Sequence, residues 1–233
     1  MKFFLFVLTT LFIYGNSNAQ NKEWTIPAGE DIKDFLGDSI LFRYPQFTQG
    51  FVYFRDETVS NALLNLNLIN GEMQFIAPSK DTMTVSNEGT IKYITINKDT
   101  FYYDKGFVEL VHTNTGVKLA KIDVIKPISV KKTGGYGQSS SASAITTVSS
   151  FYNNSNQFTK LTENKEVTLR KETIYFVGNS FNKFLPALKR NIYELFNNKE
   201  PAIEAFIKKE KIELNKKDDL VKLVDFIGKE QVE

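Results

Sequence analysis

The feature that most constrains this chain is a rhythm. From residue 39 to about residue 126, short runs of aromatic and β-branched residues alternate with clusters of Asn, Asp and Gly. Such runs read as strands and such clusters as turns. The strand pattern is cleanest at residues 64–68, where Leu64, Leu66 and Leu68 alternate with Asn65 and Asn67, predicting one buried and one wet face. Its neighbour Phe51-Val52-Tyr53-Phe54 is apolar on both faces, as expected of a strand buried in the middle of a curved or closed sheet. Further runs occupy residues 73–76, 82–85, 91–96, 100–103, 107–113 and 117–124. The turns between them carry Asn70 and Gly71 and the stretches 87–89, 97–99, 104–106 and 114–116. Turn signals about every 8–12 residues favour an antiparallel sandwich or barrel over a βαβ fold.

The rhythm breaks between Lys131 and Asn156, where Gly134, Gly135 and Gly137 precede a Ser-rich run. A stretch this long inside a domain is functional or disordered. The glycines do not make a phosphate loop, because no Gly-Lys-Ser or Gly-Lys-Thr follows and no strand-to-helix pattern surrounds them. The segment reads as a linker or surface loop; were it a binding loop, Tyr136 would be its anchor. Strand character resumes over residues 158–161 and 167–177, as a hairpin rejoining the sheet.

Beyond that the period becomes helical. Phe184, Leu188, Ile192, Leu195 and Phe196 form one apolar stripe, with Pro186 tolerable only in a first turn. Ile203, Phe206 and Ile207 form a second behind Pro201. Leu220, Leu223, Val224 and Ile227 form a third, with Asn215 as expected N-cap and Asp218 and Asp219 at the positive helix end. Helices this short are marginal alone and must pack on one another or on the sheet. The fold class expected is α+β: a β-rich domain over residues 20–130, a loop or linker over 131–156, a hairpin over 157–178 and a tail of about three helices over 179–233. The β part would be an antiparallel sandwich or partly open barrel, and the tail a small bundle.

Residues 1–19 have the three parts of a secretory signal: Lys2, the apolar run 3–13 broken only by Thr9 and Thr10, and a polar end. Ser17 and Ala19 place small residues three before and one before a cut, so Gln20 is the expected mature N-terminus. The alternative, a membrane anchor, is disfavoured because eleven residues are too few for roughly 30 Å of hydrocarbon, which needs about 20. With no Cys in the chain, no thiol is present to carry a lipid and no disulfide can form. The mature product is expected to have no transmembrane span.

Cleavage leaves 28 basic against 27 acidic residues, and the most basic-looking stretch, residues 183–233, holds 11 Lys or Arg against 10 Asp or Glu. That balance offers no electrostatic footprint for nucleic acid and no polybasic tether.

Catalytic signatures are missing. His112 is the only histidine and, on the run 107–113, is expected to share a face with Val108 and Leu110 as a structural residue. There is no G-x-S-x-G elbow, no H-E-x-x-H pair and no metal or cofactor pattern. Carboxylates cluster at Glu30 with Asp31, at Asp34 and Asp38, and at Asp218 with Asp219. Paired carboxylates can cut glycosidic bonds when about 5–9.5 Å apart, but such clusters are also solvated surface or helix caps. Asn153-Asn154-Ser155 spells a glycosylation acceptor within a polar stretch.

The stretches Tyr-Pro-Gln-Phe-Thr-Gln-Gly-Phe-Val at 44–52, Leu-Asn-Leu-Ile-Asn-Gly-Glu-Met-Gln-Phe at 66–75 and the glycine and serine stretch 134–145 resemble those of uncharacterised exported proteins of Gram-negative bacteria. The closing stretch 206–227, with Leu-Asn-Lys-Lys-Asp-Asp-Leu at 214–220, is similar to their helical tail. The resemblance implies a periplasmic or surface location and supplies no catalytic residue. The 31 aromatic residues among mostly strand-like segments, the missing catalytic signatures and the export signal point to a non-catalytic cell-envelope protein, for which a groove for an apolar ligand, lipid or partner peptide is the expected binding site. The alternative is a carboxylate-dependent hydrolase of envelope polymers.

Overall fold

A computed structural model describes residues 22–133, 139–142 and 165–230. Along the chain come β1 (Glu23–Ile26), α1 (Ile32–Leu36), α2 (Asp38–Leu41), β2 (Thr48–Phe54), β3 (Val59–Leu66), β4 (Met73–Ile76) and β5 (Thr82–Thr84). They are followed by β6 (Ile91–Ile96), β7 (Asp99–Tyr103), β8 (Phe107–Asn114), β9 (Val117–Thr133), β10 (Ser139–Ala142), β11 (Lys165–Gly178) and β12 (Phe184–Pro186). The chain then turns helical, through α3 (Lys189–Leu195), α4 (Glu200–Lys209) and α5 (Lys217–Lys229).

The strands form one open antiparallel sheet in the order β1-β11-β9-β8-β7-β6-β2-β3-β4-β5, with β10 on β9 and β12 on β11. Short hairpins build its middle. Between β8 and β9, Thr115 and Gly116 both have positive φ, 46° and 80°, the left-handed pair that matches the twist of the strands it joins. Asn97, also left-handed, turns β6 into β7.

Two hydrophobic cores result. The first lies under the sheet and α1–α2 and includes Val52, Leu64, Met73, Ile94 and Phe101. In the second, Ile192, Ile203, Ile207, Leu220, Leu223, Val224 and Ile227 from the helices pack on Val117, Leu119 and Val177 of the sheet. Gly228 permits this docking: a Cβ there would lie 2.7 Å from the Asn114 carbonyl oxygen, so α5 sits directly on the β8–β9 turn.

Several local expectations change. Asn65 and Asn67 are not on a wet face; they are buried, at 1% and 6% exposure, like the leucines between them. The segment after α2 crosses them, and its backbone needs partners. Asn65 Oδ1 accepts from the Tyr44 and Leu66 amides, both at 3.0 Å, and Asn65 Nδ2 donates to the Tyr44 carbonyl at 2.9 Å. Asn67 Oδ1 caps the next turn through the Ile69 amide. In β2, an interior strand, Val52 is buried but Phe51 is 42% exposed, so only one of its faces is core.

The tail opens with a strand. Phe184–Pro186 pairs with β11 because Gly178 leaves room for the Phe184 ring, which a Cβ there would meet at 2.5 Å. Helix α3 therefore starts only at Lys189, and Leu188 is exposed. Lys216, not Asn215, is the N-cap of α5, and it makes no side-chain cap bond. In the stretch 131–156, Lys131–Thr133 continues β9 and Ser139–Ala142 pairs back on it; the rest lies outside the described residues.

Candidate functional site

Ala19, Gln20, Tyr136 and Asn153 all lie outside the described residues. Asp31 accepts from the Lys33 and Asp34 amides and so caps α1, while Asp34 and Asp38 sit in helix first turns. Asp219 accepts from the Glu213 amide at 3.1 Å. These clusters do structural work at helix ends, where the dipole favours negative charge. Among the described residues no group of three or more His, Asp or Glu is placed to hold a metal ion.

His112 does not share a face with Val108 and Leu110. The register shifts between Leu110 and His112, so that His112 lies opposite Leu119 while Glu109 lies opposite Lys121. Leu119 and Lys121 are two apart on β9, so His112 is on the Glu109 face. There its Nε2 meets Asp225 Oδ1 of α5 at 2.7 Å, and Asn114 Nδ2 donates to the same oxygen at 2.9 Å. The hydrogen bond from His112, aided by Asn114, holds the Asp225 carboxyl below its ordinary range. The histidine clamps the last helix to the sheet.

A charged row absent from any sequence cluster runs along the same face. Arg43 grips Glu109 through Nε at 2.7 Å and Nη2 at 3.0 Å, and also lies 3.7 Å from Asp99. Tyr44 donates its hydroxyl to Asp99 at 2.7 Å. Lys121 bridges Glu109 and Asp123 at 3.6 and 3.1 Å, and Thr173 donates to Asp123 at 2.6 Å. Burial and the bond to Asp99 push the Tyr44 hydroxyl far above its usual value. Burial alone would raise Asp123, but the Thr173 hydroxyl and the Lys121 charge outweigh it and hold that carboxyl low. Through these contacts Asp99, Glu109 and Asp123 tie β7, β8, β9, β11 and the α2–β2 segment together.

The opposite face of β2, β6 and β7 carries aromatic rings. Tyr53 and Tyr93, partners across the β2–β6 ladder, stack with centroids 4.5 Å apart and planes at 26°. Phe51 continues the row at 6.5 Å from Tyr53, and Tyr102 at 6.2 Å from Tyr93. Beyond Tyr102 come the buried ring of Phe184, at 5.8 Å, and the Lys118 ammonium, 5.7 Å above the Tyr102 ring. Burial raises the Tyr102 hydroxyl and lowers Lys118. Phe51, Tyr53 and Tyr93 belong to neither core. Opposite Tyr53 and Gln49 on β3, Val59 and Leu63 are also exposed. The result is an apolar face several strands wide with polar Asn61 and Thr95 opposite Phe51. Stacked rings satisfy one another's faces and offer outward their edges and, for tyrosine, a hydroxyl that both donates and accepts.

A depression of about 470 Å³ lies at the end of β2, lined by Phe54, Arg55, Asp56, Thr58, Gly89 and Thr90. Two of its polar side chains bond within its rim: Arg55 Nε donates to the Gly89 carbonyl, and Asp56 accepts from the Thr58 amide and hydroxyl.

No protein-family model, curated protein or solved structure matches this chain. The aromatic row could have been suspected from Tyr53, Tyr93 and Tyr102, each alternating with a buried residue on its strand. The charged row could not, because its members are scattered from Arg43 to Thr173 and only the strand register brings them together.

Proposed function

We propose that this is an exported, non-catalytic protein of the cell envelope, periplasmic or at the surface, that binds an apolar ligand, lipid or partner peptide along the Phe51–Tyr53–Tyr93–Tyr102 row. The observation that carries this reading is the position of the row. Phe51, Tyr53 and Tyr93 form an ordered aromatic face outside both cores, joined through Tyr102 to the edge of the first, and contiguous apolar surface of that kind marks interaction sites. Rings standing on edge suit an elongated apolar body, with tyrosine hydroxyls and the Lys118 ammonium meeting its polar end. The signal-like residues 1–19 and the resemblance to exported proteins support the location. No described helix is long and apolar enough to cross a membrane. The sheet curls toward a partly open barrel in this reading, supported by the Ile125 amide reaching the Leu68 carbonyl at 2.9 Å. The hydrolase alternative draws less support, since Asp99, Glu109 and Asp123 are bound to cations or hydroxyl groups inside the charged row.

Native mass spectrometry of the protein recovered from the periplasm tests both halves. The expected spectrum shows a chain beginning at Gln20 with a co-purifying lipid, peptide or other apolar mass. A product retaining Met1 would contradict export, and a bare chain that also fails to bind an added lipid or hydrophobic dye would contradict the binding role.

A further inference from the structure

The turn from β11 to β12 holds the most exposed large apolar side chain described. Phe181 is 88% exposed, whereas the next, Val59, Met83 and Leu188, reach 51%. It does not dangle. Asn179 Oδ1 accepts from the Phe181 and Lys183 amides at 3.0 and 3.1 Å, and the Asn182 amide donates to the Asn179 carbonyl at 3.1 Å. From outside the turn, Lys118 Nζ donates to that same carbonyl at 3.2 Å, and the Phe184 amide donates to Asp104 Oδ2 at 2.7 Å. A turn so fixed presents its phenyl ring to solvent at constant cost, with no compensating contact.

The surroundings of that ring are basic. The Asp104–Phe184 bond sets the β7–β8 turn alongside, and with it the exposed, left-handed Lys105. Lys183 pairs with Glu194 of α3 at 2.8 Å, and Arg190 lies one helical turn before Glu194. The charges of Lys183, Arg190 and Lys105 all reach that carboxylate. Glu194 and Asp104 are the acids of this corner and both are engaged, whereas Lys105 and Arg190 form no ion pair among the described residues.

We propose that this corner is a reversible anchor for an anionic membrane surface, in which Phe181 enters the headgroup boundary while Lys105, Lys183 and Arg190 meet the lipid charges. One apolar insertion combined with a basic patch is the pair of signals that interfacial binding needs. The anchor's contact residues, Phe181, Lys105, Lys183 and Arg190, are not members of the aromatic row, although Lys118 touches both the turn and Tyr102.

The test is sedimentation of the full chain with vesicles of phosphatidylcholine alone and of phosphatidylcholine with about one third phosphatidylglycerol. Binding is expected on the anionic vesicles and should weaken with added salt. Phe181→Ser should lower partitioning about tenfold, the loss that follows from withdrawing one buried phenyl ring. Lys105→Glu with Arg190→Glu should lower it about twenty-five-fold or more, at about fivefold per basic residue removed. Because residues 1–19 are themselves apolar, Phe181→Trp supplies a local readout: its fluorescence, taken as the difference from the wild-type chain with its single Trp24, should be quenched by lipids brominated in the acyl chain. All these sites are exposed, and unchanged thermal midpoints should confirm folding. No binding to anionic vesicles, binding that Phe181→Ser leaves unchanged, an unquenched difference signal from the Phe181→Trp variant, or Phe181-dependent capture by soluble polyglutamate in place of vesicles would each overturn the anchor.

Discussion

On β2, β6 and β7 the two faces of one sheet are both rich in large apolar residues, yet they differ in what those residues touch. Inward, Val52, Ile94 and Phe101 are buried within the first core. Outward, Tyr53 and Tyr93 touch chiefly each other. Composition cannot separate a core face from a ligand face, since aromatic rings serve both; the difference lies in whether a second layer covers them. The inner face is covered by the segment carrying α1, α2 and Tyr44, which Asn65 fastens down.

The two faces should differ most sharply at Phe101. Phe101→Ala removes a fully buried ring and should cost about 3–5 kcal/mol, as large-to-small core changes do. Urea unfolding would register this as a fall in midpoint at constant slope. A loss below about 1 kcal/mol would mean that the inner face is not the core, since that is the range of surface changes.

Glu109→Ala comes next, because it strips Arg43 of its bidentate partner and leaves Lys121 with Asp123 alone. Breaking a fully buried pair costs about 3–5 kcal/mol. Arg43 is about a quarter exposed and keeps Asp99 nearby, so about 2 kcal/mol is expected here. The same unfolding assay, with Glu109→Gln as the milder control, measures it.

The smallest stability effect belongs to the clamp on α5. Asp225→Asn should cost less than about 1 kcal/mol, since both partners are more than a third or nearly a third exposed. Its signature is in pH. The Asp225 carboxyl lies below its ordinary value when folded, so its contribution is present above about pH 4 and fades as pH falls through the lowered folded value. Thermal midpoints taken from about pH 6 down to about pH 2 should therefore converge for wild type and variant at the acid end. Parallel curves would remove the clamp from the account.

What could be read from residue order alone follows from how local each signal is. The strands and their turns were legible because alternation and left-handed residues such as Asn97 and Gly116 are local facts. So were the buried positions Ile192, Ile203, Leu220 and Leu223, which helical period sets. Asn65 and Asn67 misled because alternation shows which residues share a face but not what later covers that face. His112 misled because a register shift at Leu110 is a property of two strands, not one. The β12 strand was hidden because the apolar spacing of Phe184 and Leu188 fits a helix equally well until Gly178 is placed beneath the ring. Arg43, Asp99, Glu109 and Asp123 carry no signal until strand order brings them together.

The outer aromatic row is proposed as a binding face rather than a second layer of core. The most direct measurement is the double substitution Tyr53→Ala with Tyr93→Ala, assayed in one preparation for thermal midpoint and, by native mass spectrometry, for bound apolar ligand. A stacked cross-strand pair is worth about 0.5–1.5 kcal/mol, so the variant should stay folded with a small drop in midpoint and lose the ligand carried by the wild type. A variant that unfolds as Phe101→Ala does, or one that remains folded and keeps the ligand, would contradict the account.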